Sequence, residues 1–132
     1  MHMDIARSLE VLAVIQFAVI GLSHVFQPRA WAEFFLWIRE RGDAGVFAYG
    51  FLTPWFGSII VAFHNVWTGI PAVLTFVGWA QLFKATLYFT APSFGARRMK
   101  MVSVERAWVF VPGGIAFLVL AALLGLHLWR TA

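Results

Sequence analysis

Four apolar runs, at about 5–26, 46–67, 70–91 and 107–129, occupy most of the chain and leave only short polar segments between them. At about 1.5 Å of rise per residue, a helix of roughly twenty residues crosses a hydrocarbon core of about 30 Å. Each run is therefore long enough to span a bilayer as a helix that satisfies its own backbone hydrogen bonds. The expected fold class is all-α, an integral membrane four-helix up-down bundle forming a single transmembrane domain over residues 1–132.

Composition agrees. The chain is 61% hydrophobic and 12% charged, against about half and about a quarter in soluble domains. Its formal net charge of +4 does not point to nucleic acid, because the basic residues stand in short loops beside apolar runs, where they set membrane orientation. Cysteine is absent, which excludes disulfides, thiolate metal sites and iron–sulfur clusters. The opening Met1-His2-Met3 reads as an added leader before a second start, so His2 is discounted.

The first run carries Arg7 and Glu10 near its start and lacks a small-residue cleavage site, so it is a retained helix and not a signal peptide. After Pro28 the pattern changes. Over about 29–41, Trp31, Phe34, Phe35 and Ile38 share one helical face, while Arg29, Glu33 and Glu40 lie opposite. This is the signature of an interfacial amphipathic helix, with Pro28 in its first turn and Gly42 beyond its end.

The second and third runs are separated by so few residues that they must form an antiparallel hairpin. Gly50, Pro54, Gly57, Val61 and His64 make a small-residue stripe on the second run, and Gly114, Ala121 and Gly125 make another on the fourth. Such stripes let a neighbouring helix approach closely, and are read as surfaces for membrane protein partners or a homo-oligomer. Pro54 is expected to kink its helix. A polar segment, 92–106, leads to the fourth run.

Four spans put both termini on one side. Arg29, Arg39, Arg41, Arg97, Arg98, Lys100 and Arg106 then share the opposite side, against Arg7 and Arg130 with the termini. Seven basic residues against two place both termini on the non-cytoplasmic face of the cell (inner) membrane.

Few polar residues fall within the runs, and each needs a reason to be there. Gln16 and Gln81 lie near the midplane, with Trp55 and Trp79 at a similar level, so that a Gln–Gln or Gln–Trp hydrogen bond, or a bound solute, would satisfy them. Lys84 lies a turn beyond Gln81, with Tyr88 a turn further on the same face. It either snorkels to the headgroups or binds an anion, a lipid head group or a carbonyl. Glu10, His64 and His127 gather at the other end and form the sole candidate metal or proton constellation, although their spacing matches no metal motif. His64 with His127 is also the sole pair that could ligate haem across the bundle. Ser23 beside His24 is no catalytic dyad, since adjacent helix positions point about 100° apart, and no phosphate-cradling glycine loop is present.

The turn His64-Asn65-Val66-Trp67, followed by Gly78-Trp79 and then Lys84, resembles a family of small bacterial integral membrane proteins. Those proteins carry an HN-x-W turn followed by a helix with GW and a lysine five residues after the tryptophan. The resemblance covers roughly 51–92 and implies a membrane location but no activity. Gly21-Leu22-Ser23-His24 with Pro28 is more loosely similar to the DoxX-like four-helix membrane proteins, which implies an accessory role in a membrane redox complex. Small multidrug resistance transporters share the four spans and an early glutamate, but their dual topology conflicts with the charge bias.

These residues lead to a non-enzymatic multi-pass membrane protein, either an accessory subunit or a protein that binds and transports a small solute, lipid or ion. The candidate binding residues are Gln16, His64, Asn65, Trp67, Trp79, Gln81, Lys84 and Tyr88, with no resident cofactor. The competing class is a membrane redox protein holding haem or quinone between His64 and His127.

Overall fold

The structure, a computed structural model, describes residues 4–132, so the discounted His2 lies outside it. Its helices are α1 (Ile5–Phe26), α2 (Pro28–Glu40), α3 (Gly42–Leu52), α4 (Pro54–Phe63), α5 (Pro71–Thr90), α6 (Pro92–Met99) and α7 (Phe110–Arg130), the last preceded by a single 3-10 turn at Ala107–Val109. Four helical stretches are long and apolar enough to cross a membrane: Ile5–Phe26, Gly42–Phe63, Pro71–Thr90 and Ala107–Arg130. The chain is thus all-helical, with the composition of a small membrane protein.

Proline sets where most of these helices begin. Pro28, Pro54, Pro71 and Pro92 each open a helix, and Pro112 stands in the first turn of α7. There the missing N–H removes nothing, because first-turn amides have no intrahelical acceptor. Asp4 caps α1 instead, its Oδ1 accepting from the Ala6 amide at 2.8 Å.

The second span departs from the expected 46–67. It starts at Gly42, directly after α2, and is interrupted at Thr53. Pro54 cannot donate to the Gly50 carbonyl four residues back, and the Thr53 hydroxyl donates to that carbonyl instead, at 3.2 Å. The expected kink is a break between two helices. Gly42, at φ 59°, turns the chain directly from α2 into α3. At the other end His64 leaves helical geometry, which ends the span at Phe63. The segment 92–106, read as merely polar, contains α6.

Two helix pairs build the bundle. Packing is most extensive between α1 and α7 and between α4 and α5. In both pairs, facing glycines bring the backbones together. A Cβ on Gly21 would stand 2.9 Å from the Gly114 carbonyl oxygen, and one on Gly57 would stand 2.8 Å from that of Gly78. The Gly57 and Gly114 positions of the two small-residue stripes are therefore filled from within the chain, not left open for a partner. The pairs meet across Ala13, Phe17, Ile60, Leu74, Ala121 and Leu124. A second apolar cluster, Ile38, Val46 and Met99, fastens α2 and α6 across one end of the bundle.

The amphipathic reading of α2 holds. Ala32 and Ile38 are buried, while Arg29, Glu33 and Glu40 are exposed. Trp31 folds back on α1, donating from Nε1 to Ser23 Oγ at 2.9 Å and stacking on His24. Ser23 and His24 are thus parts of a helix–helix corner. Arg39 donates to the Met99 and Val102 carbonyls and ties α2 to the end of α6, where the negative end of the helix dipole favours a cation.

Candidate functional site: a buried Glu–His–Thr chain and a mid-span cleft

Three side chains from three helical segments meet at the end of the bundle near the α4–α5 turn. Glu10 of α1 is 7% exposed, and His64, capping α4, and Thr75 of α5 are fully buried. Glu10 Oε1 is 3.1 Å from His64 Nε2, and Thr75 Oγ1 is 3.2 Å from His64 Nδ1. The same hydroxyl lies 2.6 Å from the Val66 carbonyl oxygen, 2.9 Å from that of His64 and 3.1 Å from the Val66 amide.

Thr75 has one hydroxyl proton, which it can donate to the Val66 or the His64 carbonyl, while its lone pairs can accept from the Val66 amide. The imidazole of His64 bridges this hydroxyl and the Glu10 carboxyl group, one ring nitrogen facing each. Among the described residues no buried side-chain nitrogen or oxygen is left without a partner, as burial in an apolar core requires.

The order Thr–His–Glu has the connectivity of a hydrolase triad but not its chemistry. The hydroxyl is fully buried and engaged with the backbone of His64 and Val66, so no substrate carbonyl can reach it. Thr75 does not stand out in the sequence, because a threonine within an apolar run commonly bonds its own helix.

His127, the third member of the expected constellation, is half-buried outside this chain. Among the described residues no group of three or more His, Asp or Glu side chains could hold a metal ion. Both ring nitrogens of His64 are engaged, which leaves none free for an axial bond to haem. Arg7, one turn before Glu10, points elsewhere: it donates to the Leu128 carbonyl at 2.8 Å and to the carbonyl and hydroxyl of Thr131, capping the end of α7. Asn65 and Trp67 are exposed and bond to one another, Trp67 Nε1 donating to Asn65 Oδ1 at 3.0 Å. The HN-x-W turn is thus held at both ends, by Thr75 inside and by the Asn65–Trp67 bond outside.

At mid-span, Gln16 and Gln81 line one cleft of about 350 Å³ whose walls include Phe17, Trp55, Phe56 and Phe117. Among the described residues no hydrogen bond joins the two amides to each other or to Trp55 or Trp79. Both face the same cleft with their donors and acceptors unused inside the protein. Leu12, Trp55 and Ile59 are exposed, so the cleft opens on the outer surface of the bundle. Trp79 is exposed and takes no part in it.

Lys84 and Tyr88 form a separate group with Tyr49, which the sequence did not bring forward. The ammonium nitrogen is 3.4 Å from the Tyr49 hydroxyl and stands 5.3 Å and 5.7 Å from the Tyr49 and Tyr88 ring centroids. Gly50 makes room for this group, since a Cβ there would meet Tyr88 at 3.2 Å. Among the described residues Lys84 has no carboxylate partner, and two aromatic faces take that place.

Comparison with models of protein families, with curated proteins and with solved structures finds no match to the chain in any of the three.

Proposed function

We propose that this is a non-enzymatic membrane protein that binds a small, largely apolar solute bearing a carbonyl or hydroxyl group, at the mid-span cleft. The reading rests on one observation: Gln16 and Gln81, from different helices, share a single apolar-walled volume while neither amide bonds to any of the described residues. In hydrocarbon an unsatisfied amide is costly. A ligand that accepts from one or both supplies what neighbouring helices do not. The charge bias supports both termini on the non-cytoplasmic side of an inner membrane, and the same cleft would serve binding alone or a transport step.

The redox alternative gains nothing from His64, whose nitrogens are engaged, or from His127, which lies apart. An amide hydrogen bond contributes about 1 kcal/mol, so Gln16→Leu with Gln81→Leu should weaken ligand retention roughly thirtyfold. Mass spectrometry of small molecules extracted from detergent-purified protein tests this. A stoichiometric apolar molecule in wild type that is lost in the double variant is the expected result. Equal retention in both, or nothing retained by wild type, would overturn the reading. A Soret band that vanishes in His64→Ala would replace it with the redox one.

A further inference from the structure

We propose that the groove between α2 and α3 is a binding site for an anionic phospholipid, with the phosphate on Arg41 and an acyl chain laid along α3. This groove of about 360 Å³ shares only Leu52 with the lining of the mid-span cleft, and its volume is that of an ordinary ligand site. Arg41 is the one charged residue in its lining, and Leu52 is the lining residue furthest along α3 from it. Eleven positions of helix separate them, roughly 16 Å along α3. Because α3 is the first half of a membrane-spanning stretch, the groove is cationic where the span begins and apolar toward its middle. A phospholipid has the same order of polarity along its length.

The walls explain why the groove is empty of protein. Ala44, Gly45 and Ala48 present almost no side chain, while Phe34 and Trp37 rise on the α2 side. Trp37 and Leu52 are more than half exposed. Arg41 is held at the mouth, its guanidinium 3.6 Å above the Trp37 ring and Nη1 donating to the Trp37 carbonyl at 3.0 Å. One of its five N–H donors is used there, which leaves a face for the fork-shaped recognition of phosphate. Glu40 and Asp43 flank Arg41 in sequence, yet among the described residues the one arginine–carboxylate pair is Arg29–Glu33, so Arg41 has no carboxylate partner. Arg97 and Arg98 on neighbouring α6, with Lys100 just beyond its end, add positive charge at the same end and favour an anionic head group over a zwitterionic one.

Native mass spectrometry and thermal unfolding of the full chain in neutral detergent decide the matter, with phosphatidylglycerol, phosphatidylcholine and inorganic phosphate as probes. Wild type should retain phosphatidylglycerol at least tenfold better than phosphatidylcholine and be stabilised by it. Arg41→Gln should abolish that preference, and Ala48→Leu, which fills the groove from an exposed position, should lower retention of the lipid. Equal retention of the two lipids by wild type would overturn the proposal without recourse to any variant. So would stabilisation by inorganic phosphate equal to that by phosphatidylglycerol, which marks a simple anion site, or a dimer abolished by Ala48→Leu, which marks a second copy as the occupant.

Discussion

Glu10 Oε1 lies 3.1 Å from His64 Nε2, a contact that crosses 54 positions of sequence and joins α1 to the α4–α5 hairpin. Packing between these elements is otherwise sparse, because each of them pairs mainly with another helix. The bond is thus a polar rivet between the two halves of the bundle. Removing one partner leaves the other's polar atoms bare in the core.

Glu10→Ala and His64→Ala should each destabilise the protein by about 3 to 5 kcal/mol. Glu10→Met combined with His64→Leu should cost much less than the sum of the single changes, because no uncompensated group remains. Unfolding in mixed micelles, read as a double-mutant cycle, measures the coupling. Additive single effects would mean that the two residues do not act as a pair.

Thr75→Val should cost about 1 to 3 kcal/mol, since the Val66 amide loses its acceptor and His64 Nδ1 its partner while side-chain volume is kept. Thr75→Ser should restore most of the loss. Hydrogen exchange provides a local check: the Val66 amide should exchange faster in the valine variant and return toward wild type in the serine one.

Gly113 and Gly114 are adjacent in α7 and should respond in opposite directions. A Cβ on Gly114 would meet His24 Cβ at 2.7 Å and the Gly21 carbonyl oxygen at 2.8 Å, whereas nothing lies within 4 Å of one on Gly113. Gly114→Ala should therefore destabilise the α1–α7 pair by about 1 to 3 kcal/mol through overpacking. Gly113→Ala should be neutral or stabilising by up to about 1 kcal/mol through helix propensity. Thermal unfolding of the two variants side by side tests the assignment.

The spans are legible because hydrocarbon imposes a length and a composition that few other environments share; α1 matches its expected bounds, α5 differs by one residue at each end, and α7 begins three residues later than expected because a 3-10 turn fills Ala107–Val109. Proline is only partly informative in the sequence: Pro54 within an apolar run marks a disturbance plainly, while Pro92 before Arg97 and Arg98, a start and stop signal for α6, is masked by the polar residues around it. Depth counting placed Glu10 near His64 and Gln16 level with Gln81. It does not reveal which way side chains point around a helix, so it leaves a hydrogen bond and a bound solute both open for the two glutamines where the structure has a cleft, and groups His127 with Glu10 and His64 where the structure has Thr75. Tyr49 escaped for the same reason, since its relation to Lys84 depends on the packing of α3 on α5.

Lys84 provides the sharpest contrast between a residue kept for stability and one kept for use. A lysine within a span costs roughly 3 kcal/mol on insertion scales, and two aromatic faces return about 0.5 to 2 kcal/mol each way of counting the cation–π contact. On this balance Lys84→Met should be neutral or stabilising, and Lys84→Glu strongly destabilising, because it sets a carboxylate against the negative faces of Tyr49 and Tyr88. Tyr49→Phe keeps the ring and removes only the hydroxyl 3.4 Å from the ammonium, so it should cost less than about 1 kcal/mol. Unfolding midpoints of the three variants check the order. If Lys84→Met proves clearly less stable than wild type, the ring contacts outweigh the burial of the charge and the lysine is a structural element of the α3–α5 contact. If it is as stable but alters solute flux in liposomes, the charge is held in the span for function.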